Sequence, residues 1–133
     1  MDEAASAAVA AAVTAALRQV PGLSAVFDGA PIQAGDAHAE FETGPETDWG
    51  HKSGAGAELR FAVLVRCGGE SPGRARMLAV AVRGAMEQLG PLLGGWRLVS
   101  LAMLRARVTP ARKEERPGWT AMVEYRARLL REP

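Results

Sequence analysis

The sequence predicts an α+β fold, in which two helices pack on one face of a mainly antiparallel sheet. Three features indicate it: an alanine-rich opening segment, a second helical segment in mid-chain, and long stretches of alternating apolar and polar residues. A length of 133 residues favours a single domain, covering residues 1–133. Hydrophobic residues make up 48% of the chain, which is enough to fill the core of such a domain.

The first helix is predicted at residues 3–19. Alanine has the highest helix propensity and dominates this segment. Val9, Val13 and Leu17 recur at four-residue steps, so they line one stripe that faces the core. Pro21 and the glycine after it end the helix.

The second helix is predicted to begin at Pro72, with Ser71 as its N-cap, and to run to about Leu89. Gly90 and the proline after it terminate the helix. Apolar residues at helical spacing form its predicted core face, which comprises Leu78, Ala81, Val82, Ala85 and Leu89.

Five further segments are predicted as strands, at residues 24–28, 38–43, 57–67, 96–108 and 119–130. Residues 38–43 alternate small or apolar with polar side chains, which is typical of an exposed or edge strand. Gly44-Pro45 is expected to stop this strand, so residues 44–56 are predicted as a loop. The last two strands are expected to pair as an antiparallel hairpin across a charged connection at 109–118.

Charge is distributed unevenly along the chain, although the net charge is only +1. Residues 1–52 hold two basic and eight acidic side chains, whereas residues 105–133 hold eight basic and four acidic ones. If these regions lie on opposite sides of the fold, copies of the chain can attract each other head to tail, as in a ring. The other interpretation is two unrelated solvated surfaces.

The sequence indicates a protein made in the cytoplasm, with no membrane partner. Met1, Asp2 and Glu3 make the N-terminus acidic, where a signal peptide carries basic residues. No apolar run approaches the roughly 20 residues that a membrane-spanning helix needs. The single cysteine excludes an internal disulfide and fits a reducing compartment.

No metal, cofactor or nucleophilic site is predicted. His38, His51, Asp48 and Cys67 match no zinc-ligand spacing, so the histidines are interpreted as exposed loop residues. Cys67 ends an apolar strand, where a buried and inert thiol is more common than a nucleophile.

No acid–base or phosphate-binding site is predicted either, so the chain is not expected to be an enzyme. Glu40 and Glu42 share a strand face, but nothing near them indicates a catalytic pocket, and a solvated face is expected. Gly68-Gly69 precedes the second helix without the lysine of a phosphate-binding loop, so it is interpreted as a turn.

Trp49 is the candidate contact residue, because it lies in a polar, glycine-flanked loop before a long apolar strand. Tryptophan is enriched at the energetic centres of protein interfaces. The sequence therefore predicts a subunit interface formed by Asp48, Trp49, His51 and Lys52. The other interpretation is a tryptophan that folds back onto its own domain.

Short motifs along nearly the whole chain resemble those of a family of small tail-completion proteins from long-tailed phages and gene transfer agents. The motifs follow the opening helix and are Val26-Phe27-Asp28-Gly29-Ala30-Pro31, Asp48-Trp49-Gly50-His51-Lys52, Gly56-Ala57-Glu58, Ser71-Pro72-Gly73-Arg74-Ala75, Leu98-Val99-Ser100-Leu101 and Trp119-Thr120-Ala121-Met122-Val123-Glu124-Tyr125-Arg126. One segment departs from the family: members often carry a Pro-Tyr pair where this chain has Asp36-Ala37-His38-Ala39-Glu40-Phe41.

The resemblance implies a tail terminator, a structural protein without a reaction or a cofactor. Such proteins form a hexameric ring on the head-proximal end of the tail tube, where they contact the tail tube protein and the head–tail connector. Assembly would take place in the bacterial cytoplasm, and the protein would stay in the particle. Heavy use of alanine and arginine indicates a GC-rich host, and both a phage and a gene transfer agent remain open as its source.

In such a ring, arginines of the last two strands would line the channel and let DNA pass without sequence recognition. The predicted lining residues are Arg105, Arg107, Arg126 and Arg128. Trp119 and Tyr125 lie on the apolar face of their strand, so they are assigned to the core rather than to base stacking. The alternatives to a terminator are a head–tail stopper or connector, a small nucleic-acid-binding domain, or a small enzyme.

Overall fold

A computed structural model describes residues 3–31, 35–111 and 116–133. The elements in chain order are α1 (Ala5–Leu17), β1 (Ala25–Asp28), β2 (His38–Asp48), β3 (Gly56–Gly68), α2 (Gly73–Met86), β4 (Leu92–Leu93), β5 (Trp96–Pro110) and β6 (Gly118–Arg131). The strands form one sheet in the order β1-β2-β3-β6-β5-β4. Every neighbouring pair is antiparallel except β1 and β2, which are parallel. The predicted α+β fold is confirmed.

Both helices lie on one face of this sheet. The register places Val65 beside Ala39 on one side and Ala121 on the other, and all three are buried. Because side chains alternate between faces, the buried residues of β2, β3 and β6 all point the same way. The core therefore fills the layer between this face of the sheet and the two helices.

Three stacked aromatic rings cross the centre of the covered face. Phe61 on β3 lies 5.3 Å from Phe41 on β2 and 5.3 Å from Tyr125 on β6, measured between ring centroids. The interplanar angles are 29° and 19°, and all three residues are buried. Aromatic pairs of this kind add to the stability gained from burying their area.

Helix α1 presents its predicted stripe to the core. Val9, Val13 and Leu17 are almost fully buried. The helix is two residues shorter at each end than the predicted 3–19, as expected where terminal turns fray. Thr14 is also buried, and its hydroxyl donates a hydrogen bond to the Ala10 carbonyl at 2.7 Å.

Helix α2 begins one residue later than predicted and ends three residues earlier. Pro72 occupies the N-cap, and the Ser71 hydroxyl accepts a hydrogen bond from the Gly73 amide at 3.2 Å. The serine thus supports the first turn from outside the helix. The buried residues of the helix are Ala75, Leu78, Val82 and Met86, while the predicted core residues Ala81, Ala85 and Leu89 are only partly buried.

Strand β2 corrects two predictions. It continues through Gly44-Pro45 to Asp48, because a register shift between Thr43 and Glu46 accommodates this dipeptide as a bulge. The connection to β3 is therefore residues 49–55 and not 44–56. The first four residues of β2 are buried between β1 and β3, and only the second half of the strand is exposed and at the edge.

Strand β5 runs two residues beyond the predicted 96–108 and pairs with β6 as predicted. Two register shifts, at Val99 and Leu104, change which residues share a face. Leu98, Leu101, Met103, Ala106 and Val108 lie opposite the buried residues of β6, whereas strict alternation had grouped Leu98 with Ala102 and Leu104. Of the connection predicted at 109–118, residues 112–115 lie outside the described part of the chain.

Candidate functional site

The face of the sheet opposite the helices, here called the open face, carries most of the charged strand residues. Within the described part of the chain, no element packs on this face. Cross-strand partners share a face, so the register assigns the side chains directly. The charged members are Glu40, Glu42, Glu58, Arg60, Arg66, Arg105, Arg107, Glu124, Arg126 and Arg128.

One ion pair on the open face joins a buried carboxylate to an exposed arginine. The Nε of Arg66 donates to Glu40 Oε1 at 3.1 Å, and Glu40 is only 8% exposed. His38 is also buried, with Nε2 3.5 Å from the same carboxylate oxygen and Nδ1 3.1 Å from the Gly35 carbonyl oxygen. The predictions of an exposed loop histidine and a solvated Glu40 are wrong, because β1 covers this end of β2.

Two further ion pairs hold predicted channel arginines. Arg128 Nε donates to Glu58 Oε1 at 2.9 Å, and Arg105 Nε donates to Glu124 Oε2. Both pairs are partly exposed to solvent, so each neutralises charge more than it stabilises the fold.

All four arginines predicted to line a channel lie on the open face. Arg107 and Arg126 differ from the paired ones, since neither has a carboxylate within 4 Å in the described residues. Arg126 lies directly opposite Arg60 on β3, another arginine without such a partner. Sequence reasoning missed Arg60, because only the β3–β6 register reveals that the two cations are neighbours.

The Trp49 turn forms one corner of the molecule. Asp48 accepts a hydrogen bond from the Gly50 amide at 2.9 Å, and His51 is bridged to Gly54 across the turn. The Trp49 and His51 rings meet edge to face, with their centroids 4.8 Å apart. The Arg128 guanidinium lies 5.6 Å from the Trp49 centroid, so the half-buried indole contacts its own domain on one side. Lys52 of the predicted interface is exposed in the same turn.

The two long edges of the sheet differ in character. Beyond Phe41, the outer side of β2 is not paired by β1. Its exposed acidic residues are Glu42, which lies opposite Ala62 on the open face, and Glu46 and Asp48, which lie opposite Leu59 and Ala57 on the helix side. Strand β5 is next to last in the strand order, with only the two-residue β4 beyond it, and carries Arg105 and Arg107. Part of the acidic region and part of the basic region therefore lie on strands near opposite ends of the sheet, as head-to-tail attraction requires, whereas Arg126 and Arg128 lie on the central strand β6.

Cys67 and Asp36, two side chains that could carry chemistry, have structural roles instead. Burial of Cys67 raises the pKa of its thiol, so little thiolate forms at neutral pH. The Asp36 carboxylate accepts hydrogen bonds from the Gly68 amide at 2.8 Å and from Arg74 at 3.0 Å. The hydrogen bond from the Gly68 amide lowers the pKa of Asp36. The Gly68 amide, in the turn before α2, thus binds the Asp36 carboxylate of the same chain.

Two kinds of site are not found over residues 3–31, 35–111 and 116–133. No group of three or more histidine, cysteine, aspartate or glutamate side chains is placed to bind a metal ion. No helix in these ranges combines the length and hydrophobicity needed to span a bilayer.

Comparisons with known proteins identify the group to which this chain is related. Residues 4–130 match the family described as Tail completion protein gp17. Among solved structures, a chain of the virion of a native gene transfer agent particle is similar, with 30% sequence identity and a TM-score of 0.73. The match covers 96% of this chain and 99% of that one, whereas curated protein sequences give no match.

Tail completion is a structural role in a virion and not an enzymatic one, as the sequence predicted. With 127 of its residues matched by the family profile, the chain belongs to the Tail completion protein gp17 family.

Proposed function

We propose that this protein is a tail terminator. Copies form a ring, six in number, on the head-proximal end of the tail tube of a phage-like particle or gene transfer agent. The ring stops polymerisation of the tail tube protein and offers its other side to the head–tail connector. The observation that carries this proposal is the end-to-end similarity to a chain of a gene transfer agent virion.

The distribution of charge and burial supports a role based on contact. Asp36, His38 and Glu40 are held by hydrogen bonds or ion pairs within the chain, and His51 and Cys67 lie at opposite ends of β3. The acidic outer side of β2 and the basic edge of β5 provide two unlike surfaces on one subunit. A subunit with two unlike, complementary surfaces can join identical copies into a closed ring.

We propose further that the open face borders the channel through which DNA passes. Arg105, Arg107, Arg126 and Arg128 all lie on it, and Arg60 adds a fifth cation beside Arg126. Contacts from arginine to phosphate carry no sequence information, so they let DNA slide. Arg60 and Arg126 are the centre of this surface, because Arg105 and Arg128 are already neutralised by Glu124 and Glu58.

Removal of the gene from a particle-producing strain tests the terminator role. We expect tail tubes of irregular or excessive length and few heads joined to tails in electron micrographs. A plasmid copy of the wild-type chain should restore both. Normal tails joined to heads in the deletion strain would contradict the proposal. An image of the purified particle would test where the chain lies along its axis.

The channel role has its own test. We expect Arg60→Gln combined with Arg126→Gln to leave particle numbers unchanged and to lower DNA delivery by roughly two- to tenfold, because phosphate contacts are lost. Arg76→Gln, an exposed arginine on α2, is the matched control. Unchanged delivery by the double variant would remove the open face from the channel without touching the terminator role.

A further inference from the structure

The outer side of β5 is an unusual edge. Strand β4 covers only its first residues, through the pairs Leu92–Arg97 and Leu93–Trp96, and the Leu98 amide donates to the Pro91 carbonyl. From residue 99 to residue 109, no described strand lies on that side. A long edge of this kind presents unpaired backbone groups, and natural proteins usually protect it with charge or cover it.

Apolar residues concentrate on this edge. Of six large hydrophobic residues exposed in the described chain, four are on β4 or β5, and the other two, Met77 and Val80, are on α2. The register skips Val99 and Leu104, which are the extra residues of the two bulges and are 47% and 38% exposed. Bulges hinder regular strand pairing along an edge, but the extra residues here are apolar and exposed, as at an interface.

The opposite side of the molecule has complementary properties. Glu42, Glu46 and Asp48 are exposed on β2, and none of them has a basic side chain within 4 Å in the described residues. Pro45 is exposed among them and the half-buried Trp49 follows, so the segment also offers apolar surface. Arg107 lies on β5 and has no carboxylate within 4 Å among residues 3–31, 35–111 and 116–133, so it supplies the opposite charge.

We propose that the β5 edge of one copy contacts the segment 42–49 of the next copy, so that the ring closes head to tail. This inference rests on the proposed function and names the two halves of its subunit interface. Val99, Met103 and Leu104 are covered by the neighbour's Pro45 and Trp49 side chains, and Arg107 faces the neighbour's carboxylates. Two β5 edges, or two β2 edges, do not pair with each other, because that would bring like charges together.

The contact is made mainly by side chains. Pro45 has no amide proton, and the bulge at Thr43 and Glu46 bends β2 away from regular pairing. A continuous ladder of backbone hydrogen bonds between β5 and the neighbour's β2 is therefore not available. Apolar contact and charge complementarity hold the joint instead.

Two variants with one blocked edge each test this joint. The first carries Leu104→Asp and Arg107→Glu, and the second carries Glu42→Lys and Glu46→Lys. We expect each to weaken self-association by more than about tenfold, since each puts like charges in the contact. A chain with Glu70→Lys and Arg76→Glu is the control, because both residues are exposed and belong neither to β5 nor to the segment 42–49. Far-ultraviolet circular dichroism and thermal melting verify that each chain is folded.

Mixing the two blocked variants separates a head-to-tail joint from other contacts. In the mixture the intact β5 edge of the second variant meets the intact segment 42–49 of the first, and the two changed edges again carry opposite charges. We therefore expect the mixture to regain the association that each variant alone has lost, as measured by sedimentation velocity. The second readout is mass spectrometry of particles from the deletion strain, in which we expect the control chain and neither blocked variant when each is supplied alone. Association or incorporation of either blocked variant alone at the wild-type level would overturn the joint.

The two proposals fail in different ways. If the deletion strain makes normal tails, the terminator role is wrong, whatever the variants do in solution. If the deletion strain makes defective tails and both blocked variants repair them, the terminator role stands and the β5 joint is wrong.

Discussion

On one face of the sheet, apolar side chains are packed under two helices, whereas on the other face opposite charges are paired along neighbouring strands. The covered face contains Phe41, Phe61 and Tyr125 in direct contact. The open face contains ion pairs such as Glu58–Arg128, with both partners partly exposed. Burial of apolar area supplies most of a domain's stability, while partly exposed ion pairs supply little. The difference indicates that the covered face holds the fold and the open face is available for contact.

The largest expected effect is on the covered face. Phe61→Ala removes the central ring of the three and leaves a cavity, so we expect a loss of about 3–5 kcal/mol in the free energy of unfolding. Leu64→Ala on the open face of the same strand is the control, and it should cost about 1–2 kcal/mol because Leu64 is only half-buried. Urea denaturation measures both. Equal losses would contradict the conclusion that the covered face supplies more of the fold's stability than the open face.

A smaller effect is expected at the best-buried ion pair. Glu40→Gln removes the charge that Arg66 contacts at 3.1 Å, and we expect a loss of about 1–2 kcal/mol, since Arg66 remains partly solvated. Glu58→Gln breaks a more exposed pair and should cost at most about 1 kcal/mol. The same denaturation experiment applies. A larger loss at Glu58 than at Glu40 would show that burial of the carboxylate does not determine how much an ion pair contributes to the free energy of unfolding.

The smallest effect is expected at Asp36, whose pKa the Gly68 amide lowers. A carboxylate with a lowered folded pKa stabilises the protein above its unfolded pKa, and this contribution disappears as the pH falls through the folded pKa. At neutral pH we expect Asp36→Asn to cost less than about 1 kcal/mol, because the side chain is half exposed.

Melting temperatures of wild type and Asp36→Asn should therefore converge as the solution is acidified below the ordinary aspartate range. If the difference in melting temperature instead stays constant down to the most acidic pH at which both chains fold, the stabilisation by Asp36 comes from the shape of its side chain and not from its charge.

The parts of the fold that follow a regular period could be predicted from the sequence. Strands β3 and β6 pair with each other without a register shift, and their buried residues fall where period two places them, with Ala62 and Thr120 as the exceptions. Irregular pairing could not be predicted, because the bulges at Val99, Leu104 and Thr43–Glu46 depend on contacts with the partner strand. For the same reason Glu40 was expected to be exposed to solvent. It is buried because β1 pairs with this part of β2, and alternation along the sequence does not reveal which strands pair.

The candidate site shows the same division. Its residue types were visible in the sequence, and the spacing of Arg105 from Arg107 and of Arg126 from Arg128 places each pair on one face of its strand. The pairing of Arg60 with Arg126, and the cancellation of Arg105 by Glu124, depend on strand order and register. The sequence also contained the acidic and basic regions, but only the strand order shows that β2 and β5, which carry part of each, lie near opposite ends of the sheet.

The stacked rings of Phe41, Phe61 and Tyr125 also bear on how the chain finds its strand alignment. A slip of β3 by one residue would turn Phe61 toward the arginines of the open face, and a slip by two would move it out of step with both neighbouring rings. Each wrong alignment thus loses the aromatic contacts on two strands at once. The stacked rings therefore favour one alignment of β2, β3 and β6. The irregular strand β5 can then pair with a sheet whose register is set.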